Sequence, residues 1–346
     1  MNQGARSFAL KLAPKLLISL VLGALFAWLA NRGGVPLIPS AESFSSVRWW
    51  VVPVYTVSLL VTHFFRASRW RFLIAPVKRV PLGETIILNW IGFFAIFALP
   101  LRLGEIARPA LTKMRQEISM SVGFGTVAVE RVVDGLVTSA CVVWALFAIP
   151  RLSPRDEITA HLPYYGYLSL LIFGVAFIVL AMFLWKRRTA VRLTKKTIGL
   201  VSSNLGSYVA GKVESVADGI RSLGDLKLGT AFLVETLLYW GTNIVGMWLL
   251  GLGCGLSLNI GHATAIMGIL AIGILLPTGP GLFGNFQLAI STALKLYFAD
   301  AVVGSQGAVY IFVMYAIQTV VIVLAGVIPL YVMNLRIQDL VAHPTL

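Results

Sequence analysis

The chain has 346 residues, of which 58% are hydrophobic and 12% charged, and its mean hydropathy is +0.86. A soluble globular chain carries about 25% charged residues, so a cytosolic enzyme, a disordered protein and an ordinary nucleic-acid-binding domain are excluded, and nucleic acid is not an expected partner. The net charge of +14 reads instead as a report of topology and of contact with anionic lipid headgroups.

Cys141 and Cys254 both lie in apolar runs, which argues against a disulfide framework. No cluster of His, Cys or carboxylates has metal-ligand spacing, and no nucleotide-binding or nucleophile-elbow motif occurs. Neither metal nor cofactor is therefore expected. Any energy input would come from an ion gradient, a lipid gradient or a partner.

One membrane crossing needs about 20 apolar residues as helix. In chain order the apolar stretches run 16–30, 49–65, 82–101, 119–149, 164–185, 228–250, 260–276, 282–298 and 309–333. Arg6, Lys11 and Lys15 precede the first, which gives it the look of a signal peptide. The many spans that follow favour an uncleaved helix. If every stretch crossed the membrane with the N-terminus inside, the 9 basic residues of 186–227 would lie outside, against the positive-inside rule. If 82–118 instead enters and leaves on one side, those residues become cytoplasmic, together with both termini. A first hairpin at 82–118 is therefore expected to open to the cytoplasm. A second is expected at 260–298, broken by Pro277-Thr278-Gly279-Pro280-Gly281. The expected architecture is a single all-α membrane domain over 1–346, with about seven or eight spanning helices. Within 186–227, Ile198, Val201, Leu205, Val209, Val213, Val216, Ile220 and Leu223 recur at spacings of three and four, the pattern of an amphipathic helix. It reads as a solvated topology signal or as an interfacial helix on anionic lipid.

Three constellations carry the functional reading. In the first, Pro100 stops the incoming arm of the first hairpin and Gly104 permits a tight tip. Arg102, Glu105 and Arg108 are spaced by three and would share a helix face. They form either an ion pair within the hairpin or a guanidinium fork for a phosphate. In the second, Glu130, Arg131 and Asp134 lie inside one span, where three charges would cost roughly 8 kcal/mol at the bilayer centre. That helix inserts only if these groups have partners or lie near the interface. The two motifs balance, three arginines against three carboxylates. A purely structural network follows from that balance, yet buried charge in a membrane is also a functional-site hypothesis. Protonation of a carboxylate, or an anionic headgroup, could release an arginine.

The third constellation is Pro277, Gly279, Pro280, Gly281, Gly284, Asn285 and Gln287. It echoes the first hairpin from the opposite side of the membrane, as an inverted repeat would. Its polar groups are neutral, so it offers hydrogen bonds and no charge. The two Pro/Gly turns would form gates. Glu235, Tyr239 and Asn243 lie at i, i+4, i+8 and read as a stripe facing a cavity or as a packing ladder. Arg66, Arg69, Trp70 and Arg71 read as an interfacial anchor, with phosphate contact as the alternative. Asn89 reads as a packing group. His161, His262 and His343 are assigned no chemistry.

At these motifs (Pro100-x-Arg102-x-Gly104-Glu105-x-x-Arg108, then Glu130-Arg131-x-x-Asp134, then Pro277-x-x-Pro280-Gly281-x-x-Gly284) the sequence resembles the transmembrane region of lysylphosphatidylglycerol synthases and its stand-alone, flippase-like relatives. The resemblance runs from about residue 10 to 335. It implies a bacterial or archaeal cytoplasmic-membrane protein that handles lipids, since in the full-length synthases this region is associated with moving the aminoacylated lipid between leaflets. With the arginines above, the expectation for this chain is that it binds and translocates an anionic lipid. The lipid would be a phospholipid or a polyprenyl-phosphate-linked intermediate, and a lipid or glycan biosynthetic enzyme is a candidate partner. The chain ends about a dozen residues after its last span, so no synthase domain and no aminoacyl transfer are expected. Gln287 departs from a Glu that many relatives carry near the late glycine turn. Two other readings stay open: a membrane-embedded lipid-modifying enzyme or synthase subunit with Glu130 or Asp134 as general base, and a scaffold or lipid sensor whose charges are structural.

Overall fold

The structure is a computed structural model that describes residues 3–32, 34–99, 104–153, 157–186, 224–276 and 279–335. Pro100, Arg102, Pro277 and the amphipathic pattern of 198–223 lie outside the described residues. Every long element is helical: α1 Gln3–Arg32, α2 Val51–Ser68, α3 Trp70–Ile74, α4 Leu82–Ala98, α5 Ala107–Gln116, α6 Met120–Ala148, α7 Glu157–Trp185, α8 Leu226–Gly253, α9 Ile260–Gly273 and α10 Asn285–Lys295. The last, α11, runs Asp300–Val332 with a π-helical turn at Val303–Gly307. No strand occurs among the described residues. The protein is an all-α, multi-pass membrane protein. Among the described residues four helical stretches are long and apolar enough to cross a bilayer: Val51–Ile74, Met120–Ala148, Glu157–Met182 and Asp300–Val332. Shorter apolar helices occupy Leu16–Arg32, Leu82–Ala98 and Ile260–Gly273.

Local chemistry sets the boundaries. The Asp225 carboxylate accepts from the backbone amides of Lys227 and Leu228 and starts α8. The Ser119 hydroxyl starts α6 by accepting from Val122 N–H, and Asn259 forms a capping box with His262 at α9. Leu99 leaves the helical region because Pro100 follows it, which ends α4. The isolated apolar face of α7, with Leu171, Ile172, Ile178 and Val179 all exposed, is what a lipid-facing helix presents.

The central pair is α2 against α8, packed antiparallel. Val51 lies beside Gly253, the Ser58 hydroxyl donates to Thr242 O (3.0 Å), and the Arg69 guanidinium donates to the Thr236 hydroxyl (3.2 Å). Two broken hairpins flank it. In the first, α4 and α5 run antiparallel: Glu84 pairs with Arg115, Asn89 bonds Arg108, and Gly104 lies on the backbone of Ala95 and Ile96. In the second, α9 and α10 do the same: His262 stacks near Tyr297, and the Asn285 amide donates to Gly273 O. The first hairpin's α4 packs on α11, and the second hairpin's α9 packs on α6. Exchanging α2 for α8, one hairpin for the other and α6 for α11 maps these contacts onto themselves. With α2 and α8 antiparallel, that is the relation an inverted repeat produces.

Candidate functional site

The charged residues converge between α2, α5, α6 and α8. Arg69 sits at the break between α2 and α3 and is 2% exposed. Its two terminal nitrogens donate to both oxygens of Asp134, at 2.6 and 2.7 Å. Such a fork is the strong form of a guanidinium–carboxylate pair. Trp240 Nε1–H donates to the same carboxylate at 3.1 Å. The Tyr239 ring lies 4.8 Å from the Arg69 guanidinium carbon. Glu130, one helical turn before Asp134, is 3% exposed and pairs with Arg108 of the first hairpin. The other end of Arg108 donates to Asn89 Oδ1 at 2.7 Å. Arg131 donates to Glu105 at 3.2 Å. Glu105 and Arg108 therefore both reach across to α6, and the hairpin is fastened to that helix by ion pairs.

Two expectations are corrected here. Arg69 and Trp70 are not an interfacial anchor. Both are buried, with Trp70 donating to the Thr126 hydroxyl at 3.0 Å. Nor is the network confined to the two motifs. Arg69 joins it through Asp134 and Arg66 lies beside it on the cavity wall, so among the described residues four arginines (Arg66, Arg69, Arg108, Arg131) stand near three carboxylates (Glu105, Glu130, Asp134). Helical spacing marks neighbours on one helix. It gave no sign that Arg69, from another element, would take Asp134.

A cavity of about 150 Å³ opens beside this cluster. Its polar wall includes His63, Arg66, Arg131, Asp134 and Asn243, and its apolar wall includes Phe93 and Phe97 of the first hairpin with Leu282 and Phe286 of the second. The hairpin tips meet there, since Phe97 approaches Gly281, whose carbonyl accepts from Tyr315 O–H at 3.0 Å.

The remaining sequence candidates separate cleanly. Glu105, Arg108 and Glu130 do not line the cavity, and the Arg102 arm of the expected phosphate fork lies outside the described residues. Asn285 and Gln287 are buried and close the second turn on itself. The Asn285 amide donates to Gly273 O at 2.6 Å, and Gln287 Oε1 accepts from Gly284 N–H at 2.8 Å. Gly279, Gly281 and Gly284 pack that turn against α1 and α11, where a Cβ on Gly284 would overlap the Gly23 carbonyl. Pro280 begins a short helical turn beside them. The Glu235, Tyr239, Asn243 stripe divides. Glu235 pairs with Arg71 at 3.0 Å and accepts from the Ser68 hydroxyl, while Tyr239 and Asn243 border the cavity. His63, on the same face of α2 as Arg66, was missed by sequence reasoning. Its signal was the i, i+3 spacing of two polar groups inside an apolar span.

Fold and site together define a multi-pass membrane protein with guanidinium–carboxylate pairs held inside it. The chain belongs to the family described as the lysylphosphatidylglycerol synthase transmembrane region, whose model matches residues 16–326. It is similar to a UPF0104 membrane protein of Methanocaldococcus jannaschii, at 26% identity over 250 residues, covering 69% of this chain and 94% of that protein. No solved structure matches it.

Proposed function

We propose that this chain binds an anionic membrane lipid where the two hairpin tips meet and moves it between the leaflets of a bacterial or archaeal cytoplasmic membrane, making and breaking no bond. The observation that carries this reading is the uncompensated guanidinium beside a cavity enclosed by both hairpins. Within a membrane protein a surplus cation is costly unless an anion joins it. A lipid phosphate is the anion a membrane supplies. The family's description names a phospholipid synthase, which agrees with a lipid ligand. The paired hairpins support movement: each contributes one apolar wall, so a shift of either tip would open the site toward its own side. Basic residues concentrate in 66–81, 102–118 and 186–227, which favours a cytoplasmic placement of the termini and of the first hairpin's mouth. A lipid or glycan biosynthetic enzyme would then be the source of the substrate.

The test is translocation in proteoliposomes. Fluorescent phosphatidylglycerol in the outer leaflet is quenched chemically, and the rate of its appearance there is compared with protein-free vesicles and with vesicles holding Arg131→Ala. Exchange accelerated by the wild type and slowed by the variant supports the reading. Exchange no faster than in empty vesicles overturns it.

A further inference from the structure

The cavity wall carries more information than an excess of positive charge. His63 is 5% exposed, borders the cavity and has a buried Nδ1 with no hydrogen-bond partner. Its ring is held by Trp90 and Phe93, at 5.0 and 6.0 Å between centroids. A buried ring nitrogen left unpaired calls for a partner. One turn further along α2, Arg66 borders the same cavity. Its guanidinium carbon lies 4.0 Å from the Phe93 ring centroid, and it makes no ion pair among the described residues. Opposite, Arg131 uses one terminal nitrogen on Glu105 and leaves its buried Nε unpaired. The Asn243 amide also borders the cavity and makes no side-chain hydrogen bond among the described residues.

The carboxylate side of the same wall is closed. Among the described residues Asp134 is the one carboxylate bordering the cavity, and Arg69 holds both its oxygens while Trp240 takes one of them again. A ligand ammonium would meet Arg66 and Arg131 and find no free anion, a like-charge contact that the low dielectric of the membrane interior makes expensive. A phosphate would meet two guanidiniums with donors to give. Hydroxyls next to that phosphate would meet His63 and Asn243, each able to donate or accept.

We infer that His63, Arg66, Arg131 and Asn243 form a headgroup subsite for a phosphate diester bearing an uncharged, hydroxyl-rich group, such as a glycerol or sugar phosphate lipid, and that it discriminates against an aminoacylated headgroup. The inference rests on the reading of the chain as a lipid binder and adds the substrate class. The family description points toward an aminoacylated phospholipid, whereas this wall is built against one.

The experiment is a native mass-spectrometric titration of the full chain in detergent with phosphatidylglycerol, lysylphosphatidylglycerol and phosphatidylcholine of identical acyl chains. Phosphatidylglycerol should bind tighter than the lysyl derivative by about tenfold or more, the equivalent of one charge-assisted hydrogen bond. Arg66→Gln should abolish most of that preference and Arg66→Lys should keep it. Because Arg66 makes no ion pair, both variants are expected to fold, which a thermal melt checks. Lysylphosphatidylglycerol bound as tightly as phosphatidylglycerol, or a preference unchanged in Arg66→Gln, overturns the inference and leaves lipid binding intact. Displacement of phosphatidylglycerol by glycerophosphoglycerol, its deacylated diester, at matching concentration would overturn the lipid function and leave the subsite assignment standing. No binding of any of the three lipids would overturn both.

Discussion

The two hairpins share a shape and differ in what fastens them. The first is tied to α6 by ions, with Arg108 on Glu130 and Glu105 on Arg131. The second is tied to itself and to α1 by neutral contacts: the Asn285 amide on Gly273 O, Gln287 on Gly284 N–H, and Gly284 against Gly23. One fold geometry thus supports two kinds of fastening. Ion pairs buried away from water are strong only while complete, since removing one partner strands the other. Neutral turns lose a hydrogen bond at a time. The attachment of the first hairpin therefore depends on complete ion pairs, and that of the second on single neutral bonds and close packing.

The sharpest break of that contrast is Asp134→Ala. It strands Arg69, 2% exposed, and should cost about 3–5 kcal/mol, read as a large drop in the unfolding midpoint of purified protein in micelles. Glu130→Leu should act similarly by stranding Arg108, while the double variant Arg108→Met with Glu130→Leu should recover most of the loss, because two apolar groups replace two ions. Failure of the double variant to recover would mean the pair is held for more than charge. Next in size are the tips. Gly284 has φ +83° and a Cβ there would overlap Gly23 O, while a Cβ at Gly104 would overlap the Ala95 backbone. Alanine at either should cost about 1–3 kcal/mol, and a tip that tolerated alanine would prove to be loosely packed. Asn285→Ala removes one neutral bond from the second hairpin and should cost about 1 kcal/mol on the same melt, well below Asp134→Ala. Equal losses at the two sites would dissolve the contrast. Smallest is Glu84→Gln at the mouth of the first hairpin. Its pair with Arg115 is 3.5 Å long and 31–40% exposed, so the change should stay under about 0.5 kcal/mol.

Much of this was legible in the residues. The apolar stretches at 119–149, 228–250 and 260–276 match α6, α8 and α9 closely, because hydrophobic run length and helix-stopping Pro and Gly act locally. The last span was legible in kind, but its start was placed nine residues late. The π-helical turn at Val303–Gly307 carries the helix back to Asp300, and no local residue pattern announces it. Glu105, Arg108, Glu130, Arg131 and Asp134 stood out because charges inside apolar runs must have partners. Which partners they have was not legible. Arg69 passed for a surface anchor, since three arginines after a span are the ordinary mark of an interface, yet the break after α2 turns it inward to Asp134. His63 was passed over because its i, i+3 neighbour Arg66 falls just past the apolar stretch 49–65 and was read with the basic cluster that follows.

By itself the sequence determined an all-helical membrane protein with two broken segments and charge inside it, since hydropathy, helix periodicity and the cost of buried charge are properties of short stretches of chain. Only the tertiary structure decided that Arg69 holds Asp134, that Asn285 and Gln287 bond within their own hairpin, and that His63, Arg66 and Arg131 border one cavity. Those outcomes depend on which helices lie side by side, and α2, α6 and α8 meet through pairs as far apart in the chain as Arg69 and Asp134, 65 positions, and Ser58 and Thr242, 184 positions, by packing that no local pattern encodes.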